Sequence, residues 1–251
     1  MASASARTAW LLSLAVMAWL FIAIAGVSHK DLLLGGGVAL PLLQVEIDIR
    51  RLFIFAPIVL LFLQFGLLML HAHLAHKLVE LDAALRVGED WGPRDHPLRL
   101  ELDSHFLTQI LSGPDRPDWL RRLQHIRSWL SFVFFPVLLL LVILAVFLPA
   151  RDLVLSWVHR GALVGYIGLI TLVGVYIMRP VQDWRQALAW VSDHRPVSVF
   201  ATAALFAVAL IYAFAVATNR DGILDRRLGW IMDNIERYPF IGSGLRPSPR
   251  R

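Results

Sequence analysis

Histidine is the side chain with which this sequence could most readily do chemistry. His71, His73 and His76 lie close together at the end of an apolar run, and neutral imidazole binds haem, zinc and copper. On a helix, His73 and His76 share a face while His71 points elsewhere. Because the spacing fixes no further histidine or carboxylate beside them, we expect these residues to contact headgroups or neighbouring loops. A metal or haem site is the alternative.

Other signals of catalysis are weak. The sequence has no cysteine, which excludes disulfides and thiolate chemistry within it. It shows no P-loop, dinucleotide fingerprint, hydrolase elbow or metalloprotease helix. Gly35-Gly36-Gly37 is followed by Val-Ala-Leu-Pro, which favours a flexible turn over a phosphate-binding loop. We therefore predict a non-enzymatic protein with no metal and no cofactor.

Five stretches of 18 residues or more contain no charged side chain. At about 1.5 Å per residue, a helix of this length crosses a hydrocarbon core roughly 30 Å thick. The stretches are Ala9–Val27, Leu52–Leu70, Trp129–Ala150, Gly161–Met178 and Val197–Asn219. They predict an all-α polytopic integral membrane protein with about five transmembrane helices and amphipathic interfacial helices.

The first stretch has a second interpretation. Arg7, the apolar run from Ala9 and the small residues Ala23-Ile24-Ala25 are also compatible with a cleaved secretory signal. The run of 19 residues exceeds the roughly 7–15 of a signal core. We therefore favour a retained span.

Polar segments divide the chain. We predict two transmembrane helices joined by a short extracytoplasmic loop in residues 1–78, a cytoplasmic helical loop in residues 79–128, three transmembrane helices with an interfacial helix at 181–192 in residues 129–219, and a polar C-terminal tail in residues 220–251. Inside the cytoplasmic loop, Leu98–Leu111 has the pattern of one short amphipathic helix. A second helix begins at Asp118 and continues into the third span, where Pro136 predicts a kink.

Charge gives an orientation and a first set of partners. The chain is 57% hydrophobic with a mean hydropathy of +0.62, and its formal charge is +5. With the N-terminus inside, inner segments hold 12 Lys and Arg residues against 5 in the outer loops, although 7 more lie in the tail. Arg121, Arg122 and Arg127 lie beside the third span, so we expect them to contact lipid headgroups. This distribution favours the bilayer over nucleic acid as partner.

Within the spans, the polar and small residues favour helix packing. The five stretches contain no ionisable acid or base, which argues against proton-coupled transport but leaves a passive pore open. Gln64 near mid-span is expected to hydrogen-bond to an adjacent helix. Gly161, Gly165 and Gly168 are expected to allow a close contact between helices of the same chain, with a dimer face as the alternative.

Two stretches also resemble a known family. The first contains Asp31-Leu-Leu-Leu-Gly, Leu40-Pro-Leu-Leu-Gln-Val-Glu-Ile and Phe55-Ala-Pro before a leucine-rich helix. The second is Pro136 before a leucine run that ends in Leu148-Pro-Ala-Arg-Asp. Over roughly residues 28–160 the chain resembles the N-terminal membrane region of bacterial pentapeptide-repeat membrane proteins. The five-residue repeats themselves are absent from this sequence, so it is either a repeat-less relative or the membrane part of something longer. The resemblance implies a bacterial inner-membrane location and an anchoring part, and it lends no catalytic residue.

These observations favour a membrane anchor or scaffold that presents its cytoplasmic loop and tail to partner proteins. The expected partners are the lipid bilayer and other membrane or cytoplasmic proteins, with a homo-oligomer as a further option. A channel or small-solute transporter is the first alternative function. A membrane protein with histidine-ligated haem or metal is the second.

Overall fold

Helices dominate the computed structural model, which describes residues 2–27, 37–39, 46–85, 97–102, 105–148, 152–178 and 183–216. The helices of these ranges are α1 (Ala2–Ala25), α2 (Ile49–Leu85), α3 (Phe106–Ser112), α4 (Asp118–Trp129), α5 (Phe135–Phe147), α6 (Leu153–Met178), α7 (Trp184–His194) and α8 (Pro196–Ile211). A π turn, Leu130–Phe134, joins α4 to α5 in one continuous helix. The chain divides into two compact units, Met1–Ala209 and Leu210–Arg251, and the helix bundle belongs to the first.

The predicted membrane architecture is confirmed. Among the described residues, five helices are long and apolar enough to cross a bilayer, and each overlaps one of the five uncharged stretches. They are Ser3–Ala25, Ile49–Leu85, Asp118–Phe147, Val154–Met178 and Pro196–Ala215. The chain is therefore an all-α, multi-pass membrane protein. The predicted tail, residues 220–251, lies outside the described residues.

A short β ladder accompanies the helices. β1 (Gly37–Ala39) pairs antiparallel with β2 (Glu46–Asp48), and Gly37 lies opposite Asp48. The backbone N–H of Arg50 then donates to Asp48 Oδ1 over 2.8 Å at the start of α2. Residues 35, 36 and 40–45, where the sequence predicts a turn and an extended segment, lie outside the described ranges.

The helices α1 and α2 are joined by a polar contact inside the bilayer. Gln64 Nε2 donates to Ser13 Oγ over 3.0 Å and lies 3.3 Å from Met17 Sδ, and both Gln64 and Ser13 are fully buried. This confirms the predicted bond from Gln64 to an adjacent helix. The contact packs α1 along α2, and whether α1 is a retained span or a cleaved signal stays a prediction.

Two prolines leave backbone carbonyl oxygens without a helical donor in the interior of the bundle. A proline has no N–H, so the carbonyl four residues earlier loses its helical donor. Pro57 frees the Phe53 carbonyl of α2, and Pro136 frees the Phe132 carbonyl at the π turn before α5. Hydrocarbon offers these oxygens no water, so each needs a donor from the protein.

Helix α6 supplies both donors. His159 Nε2 lies 2.8 Å from the Phe53 carbonyl, and the Tyr166 hydroxyl donates to the Phe132 carbonyl. Both side chains are buried. The two hydrogen bonds fix α6 against α2 and α5, so the backbone defects made by the prolines become contacts between helices.

At the opposite end of the bundle from α3, a charged contact closes the start of α6. Asp152 Oδ1 accepts the backbone N–H groups of Val154 and Leu155 over 3.1 and 3.2 Å, as a helix N-cap does. Its Oδ2 lies 2.8 Å from Arg50 Nη2. The Leu155 N–H, more than the Arg50 guanidinium, lowers the pKa of this carboxyl. Asp152 therefore remains charged at neutral pH and joins the starts of α2 and α6.

The proline-freed carbonyls predict coupling between Tyr166 and Pro136. Tyr166→Phe should lower the unfolding free energy in detergent by about 1–3 kcal/mol, because a buried carbonyl loses its donor. In a Pro136→Ala background, Tyr166→Phe should lower the unfolding free energy by less, because the N–H of the alanine can donate to the Phe132 carbonyl. A double-mutant cycle of unfolding measurements gives the coupling. Tyr176→Phe on the same helix is the control, and equal costs in both backgrounds would contradict this role for Tyr166.

Candidate functional site

The three clustered histidines do not form a shared site. His71 is fully buried, with Nδ1 2.8 Å from the Leu67 carbonyl of its own helix. His73 and His76 are exposed, and His76 Nε2 lies 3.3 Å from Glu80 Oε1. Among the described residues, no group of three histidine, cysteine or acidic side chains is arranged to hold a metal ion.

His71 instead belongs to an aromatic cluster under α3. Its ring centroid lies 5.3 Å from that of His105 and 4.8 Å, edge-on, from that of Phe132. Phe106 stacks against His71 at 6.2 Å and contacts Trp10 of α1 at 5.5 Å. These are ordinary aromatic contact distances. The cluster packs α1, α2, α3 and the π turn together.

A buried ionic contact joins the segment around Arg99, between α2 and α3, to the end of α2. Arg99 is only 2% exposed; its Nη2 lies 2.6 Å from Asp82 Oδ1, and its Nη1 donates to the Ser112 carbonyl over 2.9 Å. The Ser112 hydroxyl in turn donates to the Leu78 carbonyl over 3.1 Å. We call these four residues the Arg99 latch. The latch makes this segment part of the bundle.

The latch also corrects the predicted helix at Leu98–Leu111. The structure has a 3-10 turn at Pro97–Arg99 and a separate helix, α3, from Phe106. Arg99 turns inward to meet Asp82, while Leu98 and Leu100 are exposed. From Phe106 onward the helix is buried on nearly all sides and shows no single apolar stripe, because it is inserted among the other helices.

The three arginines predicted to contact headgroups have different surroundings. Arg121 forms an ion pair with Asp118 one helical turn earlier. The Arg127 guanidinium lies over the Trp10 ring at 4.4 Å, a cation–π geometry that joins α4 to α1. Arg122 is exposed on α4. Headgroup contact by these residues stays a prediction, and Arg127 has in addition a packing role that the sequence did not reveal.

At two of the three glycines of α6, the described residues show no close contact within the chain, and the alternative of a dimer face stays a prediction. A Cβ built on Gly161 or Gly168 meets no described atom within 4 Å, and a Cβ on Gly165 meets only the Leu61 side chain, at 3.9 Å. All three glycines are exposed. The helix is rotated so that His159, Leu163 and Tyr166 face the bundle, which turns the glycine stripe outward.

An apolar cleft of about 280 Å³ opens beside the second half of α6. Its walls come from the end of α4 and the π turn, from α6, α7 and α8, and from single residues of α2 and α3. Ile170, Val175, Val199 and Phe206 are typical lining residues.

Polar lining groups lie mainly at one end of this cleft. His125 and Arg195 line it where α4 and α8 begin to enter the apolar region. The deeper hydroxyls of Thr171 and Thr202 donate to the Ile167 and Ser198 carbonyls of their own helices over 2.7 Å each. The depth of the cleft is therefore apolar in character. Sequence reasoning missed it, because the residues come from six helices and share no local motif.

No family model, curated protein or solved structure matches this chain. The resemblance to the membrane region of pentapeptide-repeat proteins therefore stays a prediction. Function is inferred from the geometry of the described residues alone.

If the Arg99 latch holds α3 in the bundle, removing the Arg99 side chain should expose α3 to a labelling reagent. A single cysteine placed at Leu107, which is buried on α3, should react slowly with a maleimide. Adding Arg99→Ala should raise the labelling rate about tenfold or more, which corresponds to about 1.4 kcal/mol of lost protection. The native chain has no cysteine, so background labelling is absent. Arg116→Ala, at an exposed arginine in the same segment, is the control; an equal effect from both changes would show that the latch does not hold α3.

Alanine substitutions should have opposite effects on stability at the outward-facing glycines and at the closely packed Gly113. Gly161→Ala and Gly168→Ala should leave the unfolding free energy in detergent unchanged or raise it by up to about 1 kcal/mol, because alanine is the better helix former. Gly113→Ala should lower it by about 1–3 kcal/mol, because its Cβ would lie 2.5 Å from the Gln109 carbonyl. A loss at Gly161 comparable to that at Gly113 would instead indicate a packed helix face.

Proposed function

We propose that this chain is a non-enzymatic anchor and assembly module of the bacterial inner membrane. The observation that carries the proposal is an exposed apolar stripe on α4, formed by Trp119, Leu123 and Ile126, which are 63%, 51% and 54% exposed. We call these three residues the α4 stripe. Helix α4 is continuous with the third span, so the stripe is held on a rigid extension of the bundle.

Contacts on the inner side of α4 support a fixed presentation of this stripe. Arg127 stacks on Trp10 of α1, and Trp129 Nε1 donates to Thr202 Oγ1 of α8 over 2.9 Å. Tryptophan in particular is over-represented among residues that dominate protein interfaces. A stripe on a rigid helix loses little conformational freedom on binding, so apolar burial there is converted efficiently into affinity.

The charges beside the stripe favour a protein partner with an apolar face flanked by acidic side chains. Arg122 is exposed next to Leu123, and Arg121 lies one residue earlier. The alternative occupant of the same surface is the headgroup layer, which also accepts tryptophan and arginine. The test must therefore separate protein from lipid.

Site-specific photo-crosslinking in cells makes this distinction. A photoreactive amino acid at Leu123 should give discrete adducts larger than the chain by the mass of a protein partner. The same amino acid at Phe62, which is 73% exposed in the middle of α2, should give no protein adduct because lipid surrounds it. Matching patterns at the two positions would contradict the proposal. Deleting the whole loop is a poorer test, because it would remove the buried α3.

A tryptophan pair provides the matched control for the stripe. Trp119→Ala should reduce the Leu123 adduct about tenfold, as expected for a tryptophan at the centre of an interface. Trp157→Ala removes a similarly exposed tryptophan from α6 and should leave the adduct unchanged. In proteoliposomes, solute flux should not exceed that of protein-free vesicles. Solute-specific flux would favour the channel or transporter alternative.

A further inference from the structure

We propose that the cleft beside α6 binds one acyl chain of an anionic phospholipid, with the lipid headgroup at Arg195. Such a lipid site goes beyond the anchoring function and is independent of the α4 stripe. It depends on three properties of the cleft, namely its depth, its lining and the charge at its mouth.

The depth of the cleft matches one leaflet. Along α8 the lining runs from Arg195 to Phe206, and along α6 from Met178 back to Ile170. Eleven residues of helix at about 1.5 Å each give a length of about 16 Å. This is about half of a hydrocarbon core roughly 30 Å thick. A chain that enters beside Arg195 would therefore end near the middle of the bilayer.

The lining suits a hydrocarbon chain. Aliphatic and aromatic side chains form most of the walls, and the Thr171 and Thr202 hydroxyls already donate to backbone carbonyls. The cleft volume of about 280 Å³ is close to the lower end of the roughly 300–1,000 Å³ of ligand pockets. Thr171 and Ala203 line the cleft and are still exposed, so it opens to the surroundings of the bundle, which in a membrane are lipid.

The mouth carries positive charge. Arg195 is partly buried at the boundary between α7 and α8 and lines the mouth of the cleft together with His125. None of the described residues that line the cleft is acidic. The Arg195 guanidinium at this mouth provides charged N–H donors for a phosphate oxygen.

Photoreactive lipids test the proposal directly. The full chain is reconstituted with phosphatidylglycerol that carries a diazirine in one acyl chain, and cross-linked residues are mapped by mass spectrometry. Labelling should concentrate on cleft residues such as Val199 and Phe206. Ala203→Phe, which fills the cleft, should reduce this labelling at least fivefold. Ala204→Phe adds the same ring at the next position of α8, outside the lining, and should leave the labelling unchanged.

Arg195→Gln tests the headgroup contact at the mouth and leaves the apolar residues deeper in the cleft unchanged. It should lower the ratio of labelling by phosphatidylglycerol to labelling by phosphatidylcholine about tenfold, because the cationic contact is lost. Arg185→Gln, at an exposed arginine of α7 away from the lining, should leave the ratio unchanged. Unchanged labelling in Ala203→Phe, or a ratio insensitive to Arg195, would overturn the proposal. Cross-links from chain to chain in place of lipid adducts would also overturn it, since they would put a second copy in the cleft.

Discussion

The structure depends on the need of every backbone carbonyl inside a membrane for a hydrogen-bond donor from the protein. Pro57 and Pro136 each remove a donor from a spanning helix, and no water replaces it in hydrocarbon. One helix, α6, answers both demands, with His159 at Phe53 and Tyr166 at Phe132. The positions of these two side chains, about two turns apart on α6, set its rotation and its height against α2 and α5. They also explain why a histidine and a tyrosine are buried at these positions of α6.

Other features follow from the way α6 is held. Because its first half is fixed through His159 and Tyr166, Gly161, Gly165 and Gly168 face outward, and its second half from Ile170 onward borders the cleft. At the same end of the bundle, α3 is inserted among α1, α2 and the π turn and is fastened by Arg99. The two ends of the molecule thus differ. A surface ion pair between Arg50 and Asp152 closes one end, and the other end combines a packed short helix with an open apolar cleft.

The sequence predicts the spans well because the bilayer imposes a length and an apolarity that each helix must meet alone. It also predicts the Gln64 contact, since an amide in hydrocarbon has few other options. It does not give the rotation of a helix, which at Gly161 and Gly168 leaves no described side chain within 4 Å of an added Cβ. Arg99 was missed because a charged side chain is normally exposed, and its burial depends on Asp82, which is 17 residues earlier on another element. A free carbonyl can be predicted from each proline, but the donor that meets it is a property of the tertiary fold.

The polar side chains described within the spans are largely committed to holding the helices together, and this bears on where function resides. Gln64, His159, Tyr166, Thr171 and Thr202 all take part in hydrogen bonds within the protein. The α4 stripe and the cleft are two surfaces outside this packing, and α4 with its continuation contributes to both, on different faces of one helix. A lipid in the cleft would therefore alter partner binding only if it shifted the position or rotation of α4. By linkage, the partner would change lipid affinity by the same factor. If α4 is as rigid as its contacts with Trp10 and Thr202 imply, the two proposed sites act independently.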